Sequence, residues 1–470
     1  MSFNSLAFLV FIALFLLLWQ FVKGKHNLKY ICLIVSSFVF YGWWDWRFLF
    51  LIIFSGLVDF FAAKLIDRHR NKGRIILIFS LFVNLSCLSV FKYSTFIASQ
   101  IETLFQFADV IIDLKKELPP FTFILPVGIS FYTFQSMSYT IDVYNGKLKP
   151  TPNILHFFSY LVMFPQLVAG PIVRAKDFLQ QLAQKREVSA LTFWNGIKLI
   201  LLGYFQKTVL ADNLGVFVNE AFSGVDNGNG LYWWVVMSCF AFQIYFDFSG
   251  YSQIARGLAK LMGYHFKMNF NHPYLSVSMR DFWSRWHISL STWFRDYVYI
   301  PLGGNKKGRV RSHINMWITM LLSGLWHGAA INFVLWGAYH AFALSAERVI
   351  DSTFKNATYK KWKILRWATT MFMVLIGWVL FRAATFGQFI SILKSMFYPD
   401  FSLQFLATNL NLLFFIALAL WYEGGYFLTK HVSLIPKNKI PYIESIKFAI
   451  ILVCILFLRG PEQEFIYFQF

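Results

Sequence analysis

From Phe8 to Trp19 the chain carries no polar side chain, and the surrounding stretch 3–22 has the roughly 20 residues that a helix needs to cross a hydrocarbon core. A helix apolar on every side has no place on the surface of a soluble fold. Similar stretches recur at 30–46, 48–66, 75–91, 121–139, 191–210, 231–248, 367–381, 410–427 and 446–458, so the expected architecture is an all-α polytopic membrane protein. Two more apolar stretches, 154–173 and 317–344, contain Gly or Pro and are expected either to span or to re-enter the membrane. The total is about ten to twelve membrane segments.

Composition agrees: 57% of residues are hydrophobic and only 14% charged, with a mean hydropathy of +0.52. A net charge of +20 would suggest nucleic acid in a soluble chain. Here Lys and Arg gather in loops between apolar runs, so no nucleic-acid partner is expected. No Lys or Arg precedes the first apolar run, whereas Lys23, Lys25 and Lys29 follow it, which argues against a cleaved signal peptide. Placing the basic loops 23–29, 64–74, 174–186, 306–311, 355–366 and 430–439 in the cytoplasm leaves both termini outside. Cys32, Cys87, Cys239 and Cys454 are scattered singly and show no metal spacing, so no metal site is expected.

Between residues 248 and 311 the chain is neither a clean span nor an ordinary loop, because aromatics alternate with Arg, His, Asp and Asn. One reading is an interfacial, partly amphipathic segment. His327, bracketed by Gly324 and Gly328 in the apolar run that follows, offers another, since an ionisable group at membrane depth is a functional candidate. His287 supplies a second imidazole, and two imidazoles suit proton abstraction from a hydroxyl near neutral pH. Either could instead be a core histidine; His340 lacks the glycine bracket and His272 could cap a turn.

Four stretches, FPQLVAGPIVR (164–174), FDFSGYSQIARGLAKLMGY (246–264), NFNHPYLSVSMRDFWSRWHISLSTWFRDYVYIPLGGNKKG (269–308) and LLSGLWHGA (321–329), resemble the membrane-bound O-acyltransferase superfamily. Within it they resemble the bacterial branch of alginate and peptidoglycan O-acetyltransferases and the related teichoic-acid D-alanyl transferase. The resemblance implies a ring of tilted transmembrane helices with re-entrant segments over residues 1–464, the most specific motifs lying in 164–329, and an aromatic tail motif over 465–470. It implies an enzyme of the bacterial inner membrane in which His327 is the essential histidine and His287 the second histidine of the branch. A cytoplasmic cavity would take the donor, acetyl-CoA, beside the basic residues Arg256, Lys260, Lys267, Lys306, Lys307 and Arg309, although positive-inside topology alone accounts for any one of these.

The tail, FIYFQF, is open to two readings: an aromatic interface anchor, or the branch's acyl-accepting tyrosine, here Tyr467. The chain has no soluble domain with a serine-hydrolase motif, so a periplasmic acetyltransferase partner of serine-hydrolase type would carry the group to an extracytoplasmic polysaccharide. Membrane lipids complete the expected partners. A transporter would show matching broken helices in repeated halves, and no such symmetry is visible. A direct lipid or protein O-acyltransferase would not need a terminal phenol.

Overall fold

A computed structural model of the chain describes every residue except 169, 225–229, 354–361, 399–404, 406–408, 432–439 and 469–470. The basic residues expected at 355–361 and 437–439, the polar residues 226–229 and the last two tail positions lie outside the described residues. The described residues form helices and no strands, so the all-α expectation holds. They fall into two compact units, residues 1–196, 255–267 and 328–330 forming the first, and 197–254, 268–327 and 331–470 the second.

The first unit begins with α1 (Leu6–Val22), whose N-terminus is capped by the Ser5 hydroxyl accepting the Phe8 N–H at 3.2 Å. Leu6, Leu9, Leu14, Leu17 and Leu18 all project outward, as on a helix whose surroundings are lipid. Next come α2 (His26–Asp45), α3 (Leu49–Arg68), α4 (Gly73–Lys92) and α5 (Ser94–Gln106). The expected span 121–139 is instead broken. Pro120–Phe123 forms a single 3-10 turn, and α6 (Ile129–Tyr144) starts only after Gly128, whose φ of 72° suits glycine. Pro126 in between cannot donate a helical hydrogen bond, which explains the break.

Nearly all of α6 is buried, and its hydroxyls turn inward: Ser136 and Thr140, with Ser80 and Asn84 of α4, all donate to the Asp59 carboxylate of α3. A carboxylate at this depth is tolerated because it is surrounded by donors. The doubtful stretch 154–173 becomes α7 (Ile154–Leu161) and α8 (Phe164–Leu167), both largely buried. Eight residues rise only about 12 Å, well short of a roughly 30 Å core, so irregular backbone here is sheltered by protein. The amphipathic α9 (Ala175–Ala183) and the beginning of α10 (Ala190–Tyr204) follow.

In the second unit α10 runs into a π-helical turn, Phe205–Ala211, where the expected span 191–210 loses its α-geometry, and continues as α11 (Asp212–Ser223). Then α12 (Gly230–Leu261) runs for 32 residues and carries the beginning of the polar segment inside a helix. Short helices α13 (Met279–Arg285) and α14 (Ile288–Phe294) follow within the aromatic and basic segment. The stretch 317–344 resolves into the antiparallel helices α15 (Arg309–His327) and α16 (Ile331–Thr353). Gly324 and Gly337 set their close approach, since a Cβ on Gly324 would collide with the Phe333 carbonyl oxygen. The rest is α17 (Lys363–Arg382), α18 (Phe386–Met396), α19 (Leu410–His431) and α20 (Ile440–Phe457). Among the described residues four helical stretches, His26–Arg68, Arg70–Lys92, Gly230–Leu261 and Lys363–Arg382, are long and apolar enough to cross a bilayer.

Candidate active site

His287 occupies the bend between α13 and α14 with φ at 41°, a left-handed conformation uncommon for histidine. Asn269 holds that bend in place. Its carbonyl accepts the Ile288 N–H at 2.8 Å, and its side-chain oxygen accepts the Ser289 N–H at 3.1 Å and hydroxyl at 2.8 Å. The Asn269 amide in turn donates to Ser252 on α12 at 3.2 Å. A strained residue fixed from several sides marks a place where backbone geometry serves a site. The His287 imidazole is completely buried, 4.6 Å from the Phe248 ring centroid and 5.8 Å from Trp326.

His327 is the last residue of α15, also buried, with its ring 5.0 Å from Trp326, 5.0 Å from Trp336 and 5.5 Å from Phe381. Of its two bracketing glycines, Gly324 serves the α15–α16 contact described above. Aromatic walls exclude water, which would compete with a substrate and hydrolyse a reactive ester.

The tail enters this chamber. Tyr467 stacks 6.4 Å from His287 with an interplanar angle of 15°, and lies 5.6 Å from His327 and 4.6 Å from Phe248, centroid to centroid. Its ring is half-buried, yet its hydroxyl is fully buried and, among the described residues, meets no hydrogen-bond partner. Burial pushes this phenol up, and the nearby Asp247 carboxylate adds to the effect. A phenol so placed attacks only if a base takes its proton.

The three residues singled out for chemistry therefore meet, and the six basic residues are divided between the two units. Arg256, Lys260 and Lys267 belong to the first unit; Arg256 donates to the Phe266 carbonyl at 3.4 Å and Lys267 pairs with Asp177 at 2.6 Å. Lys306, Lys307 and Arg309 belong to the second unit and are exposed at the turn into α15. A cavity of about 450 Å³ in the second unit uses other cations: Arg280, Arg295 and Arg348 line it, together with Ser291, Thr319 and Ser323. Ser323 precedes His327 by one helical turn on the same face of α15. His340 packs between Trp283 and Trp336 at 5.1 and 4.5 Å, and His272 pairs with Glu423 at 2.8 Å, so neither shares the chamber with Tyr467.

Sequence reasoning missed Lys207, Asp212 and Asn269. Two lysines inside the apolar stretch 191–210, Lys198 and Lys207, were the available signal, because such a charge at membrane depth needs a partner. Among the described residues no group of three or more His, Cys, Asp or Glu side chains is arranged to hold a metal ion.

Comparison with known proteins identifies the family. The chain is 39% identical over 396 residues to the probable alginate O-acetylase of Pseudomonas aeruginosa, covering 82% of this chain and 72% of the relative. It is 32% identical to the peptidoglycan O-acetyltransferase of Helicobacter pylori, covering 77% of this chain and 73% of that protein. Identity to the teichoic acid D-alanyltransferase of Bacillus subtilis is 30%, over 58% of this chain and 70% of the relative. The model of the membrane-bound O-acyltransferase family matches residues 38–389, so this multi-pass membrane chain belongs to that family and is an O-acyltransferase.

Proposed function

We propose that the protein moves acetyl groups from acetyl-CoA in the cytoplasm across a bacterial inner membrane for O-acetylation of an extracytoplasmic polysaccharide, either peptidoglycan or an alginate-like polymer. The names of its relatives support acetyl as the group carried. The observation that carries the mechanism is the placement of the Tyr467 ring against both His327 and His287 in a buried aromatic chamber.

In this reading the thioester arrives through the cavity that Ser323 lines, one helical turn before His327, its phosphates met by Arg280, Arg295 and Arg348, since guanidinium forks suit phosphate. His327 accepts the phenolic proton of Tyr467 as its oxygen attacks the thioester carbonyl carbon. His287 steadies the charge on the carbonyl oxygen. The C–S bond then breaks, the imidazolium returns the proton to the departing thiolate, and an acetyl-tyrosine ester remains. The tail lies beyond the last apolar helix, outside if the basic loops are cytoplasmic. A periplasmic partner of serine-hydrolase type then attacks the ester carbonyl with its serine, regenerating the phenol, and passes the acetyl group to a sugar hydroxyl.

The experiment is to express the chain without its partner and search the C-terminal peptide for an acetyl adduct on Tyr467 by mass spectrometry. An adduct that vanishes in His327→Ala supports the reading. An unmodified peptide in a strain whose polymer becomes acetylated once the partner is restored defeats the tyrosine route.

A further inference from the structure

The apolar stretch around α10 carries two lysines: Lys198 is partly exposed and pairs with Glu444, whereas Lys207 is buried and its surroundings are arranged around the tail. Lys207 sits in the π-turn Phe205–Ala211 with its side chain 2% exposed, and the facing Asp212 is 1% exposed. Its ammonium lies 2.8 Å from Asp212, 2.8 Å from Asp247 and 3.0 Å from the Gln463 carbonyl, one oxygen for each of its three protons. The other carboxylate oxygen of Asp247 accepts the Ile466 N–H at 2.7 Å, next in sequence to Tyr467.

Three further bonds continue the line. The Thr208 carbonyl accepts the Gly460 N–H at 2.8 Å, Asn213 donates to the Leu458 carbonyl at 3.0 Å, and Asn219 donates to the Gln463 side-chain oxygen at 3.2 Å. A π-turn shifts the helical hydrogen-bond register, here with the Asp212 N–H reaching the Lys207 carbonyl. Such turns concentrate at functional places.

We infer that Lys207, with Asp212 and Asp247, is a polar clasp that seats the C-terminal tail and sets Tyr467 between the two imidazoles. Lys207 is a positioning residue, acting on the reaction only through the tail. The inference rests on the reading of Tyr467 as acyl carrier. Buried ions are costly when incompletely satisfied, so a triad that shares its charge with the tail backbone exists in full only when the tail is docked. Docking is thus written into the charge pattern of the second unit, at some distance along the chain from either histidine.

Hydrogen exchange on the detergent-purified full-length protein tests this, read on the C-terminal peptide alongside peptides from α11 and α12. In Lys207→Met the tail amides should exchange about tenfold to a hundredfold faster, the size expected on losing a hydrogen bond to a charged group. Polymer acetylation should fall at least about tenfold with abundance unchanged. Lys207→Met leaves two carboxylates facing each other, so Asp247→Ala is the second variant: it keeps the Lys207–Asp212 pair but drops the acceptor for Ile466, and should loosen the tail in the same way. Tyr467→Phe should lose acetylation while the tail stays protected. Tail exchange equal to wild type in both clasp variants would overturn the inference, as would faster exchange throughout α11 and α12 or a loosened tail with full activity. Activity retained in Tyr467→Phe would instead defeat the acyl-carrier reading, while the exchange data still decide whether the clasp holds the tail.

Discussion

Replacing Tyr467 by Phe deletes a single oxygen, and the structure gives that oxygen two opposite values. For stability it is a burden: the hydroxyl is buried and, among the described residues, has no hydrogen-bond partner. A polar group in that state costs about 1–3 kcal/mol, so its removal should leave the folded protein unchanged or more stable by up to that amount. The ring contacts with Phe248, Phe465 and His327 at 4.6, 5.7 and 5.6 Å would survive, because they are made by ring carbons. For transfer the same oxygen is indispensable, since phenylalanine offers no atom to hold an acetyl group. Tyr467→Phe should therefore unfold at or above the wild-type temperature in detergent while alkali-released acetate from the polymer falls to background. Acetate within a few-fold of wild type at equal abundance would refute the reasoning, and would leave His327 to activate the final acceptor directly. A drop in unfolding temperature by several degrees would refute the structural half, because it would reveal a partner for the hydroxyl.

His327→Ala should lower polymer acetylation by about 100- to 10,000-fold without loss of inserted protein, whereas a core filler would show its effect in abundance; both are read by acetate release and quantitative immunoblotting. Gly324→Leu should do the reverse, reducing folded protein by overpacking worth about 1–3 kcal/mol or more, since the added side chain meets the Phe333 backbone; thermal unfolding or failed insertion reports it. Neutralising Arg280 and Arg348 together should raise the apparent donor KM more than it changes kcat, and an unchanged KM would remove the cavity from the donor's path. In a background lacking the four native cysteines, a cysteine at exposed Asn71 should be shielded from an impermeant thiol reagent in whole cells and one at exposed Glu464 labelled; the opposite pattern would reverse the direction of transfer.

Much of the helical frame was legible because a membrane helix is read from length and apolarity alone. The stretches 30–46, 48–66 and 75–91 became α2, α3 and α4 with small shifts at their ends. The stretch 121–139 misled for a local reason: Pro126 and Gly128 interrupt it, and its polar residues belong to α6, which faces protein. Residues 248–311 could not be resolved from composition, because aromatic and basic residues serve equally for an interface and for a packed chamber. His287, His327 and Tyr467 were each visible as a residue type in the wrong surroundings. That they converge could not be read from spacing, since it depends on the bend at His287 and the return of the tail. Asn269, which fixes that bend, looks like any other polar residue of the segment.

The tail shows why apolar pattern decides little at membrane depth. In water, Phe465 and Tyr467 would be driven into the protein by burial; in a bilayer, lipid offers their rings nearly the same environment, so aromatic content alone fits an anchor in the interface as well as a docked carrier. What separates the two is the backbone. A tail lying in lipid would leave its N–H and carbonyl groups unsatisfied, at several kcal/mol each, unless it folded into a helix long enough to pair them. This tail is a single 3-10 turn at Ile466–Phe468, and its free groups at Gly460, Gln463 and Ile466 are met by Thr208, Lys207 and Asp247. The deciding sequence signal for the tail's place therefore lies far upstream, at separations of 256 and 219 along the chain, in a lysine and an aspartate that their own apolar helices do not need.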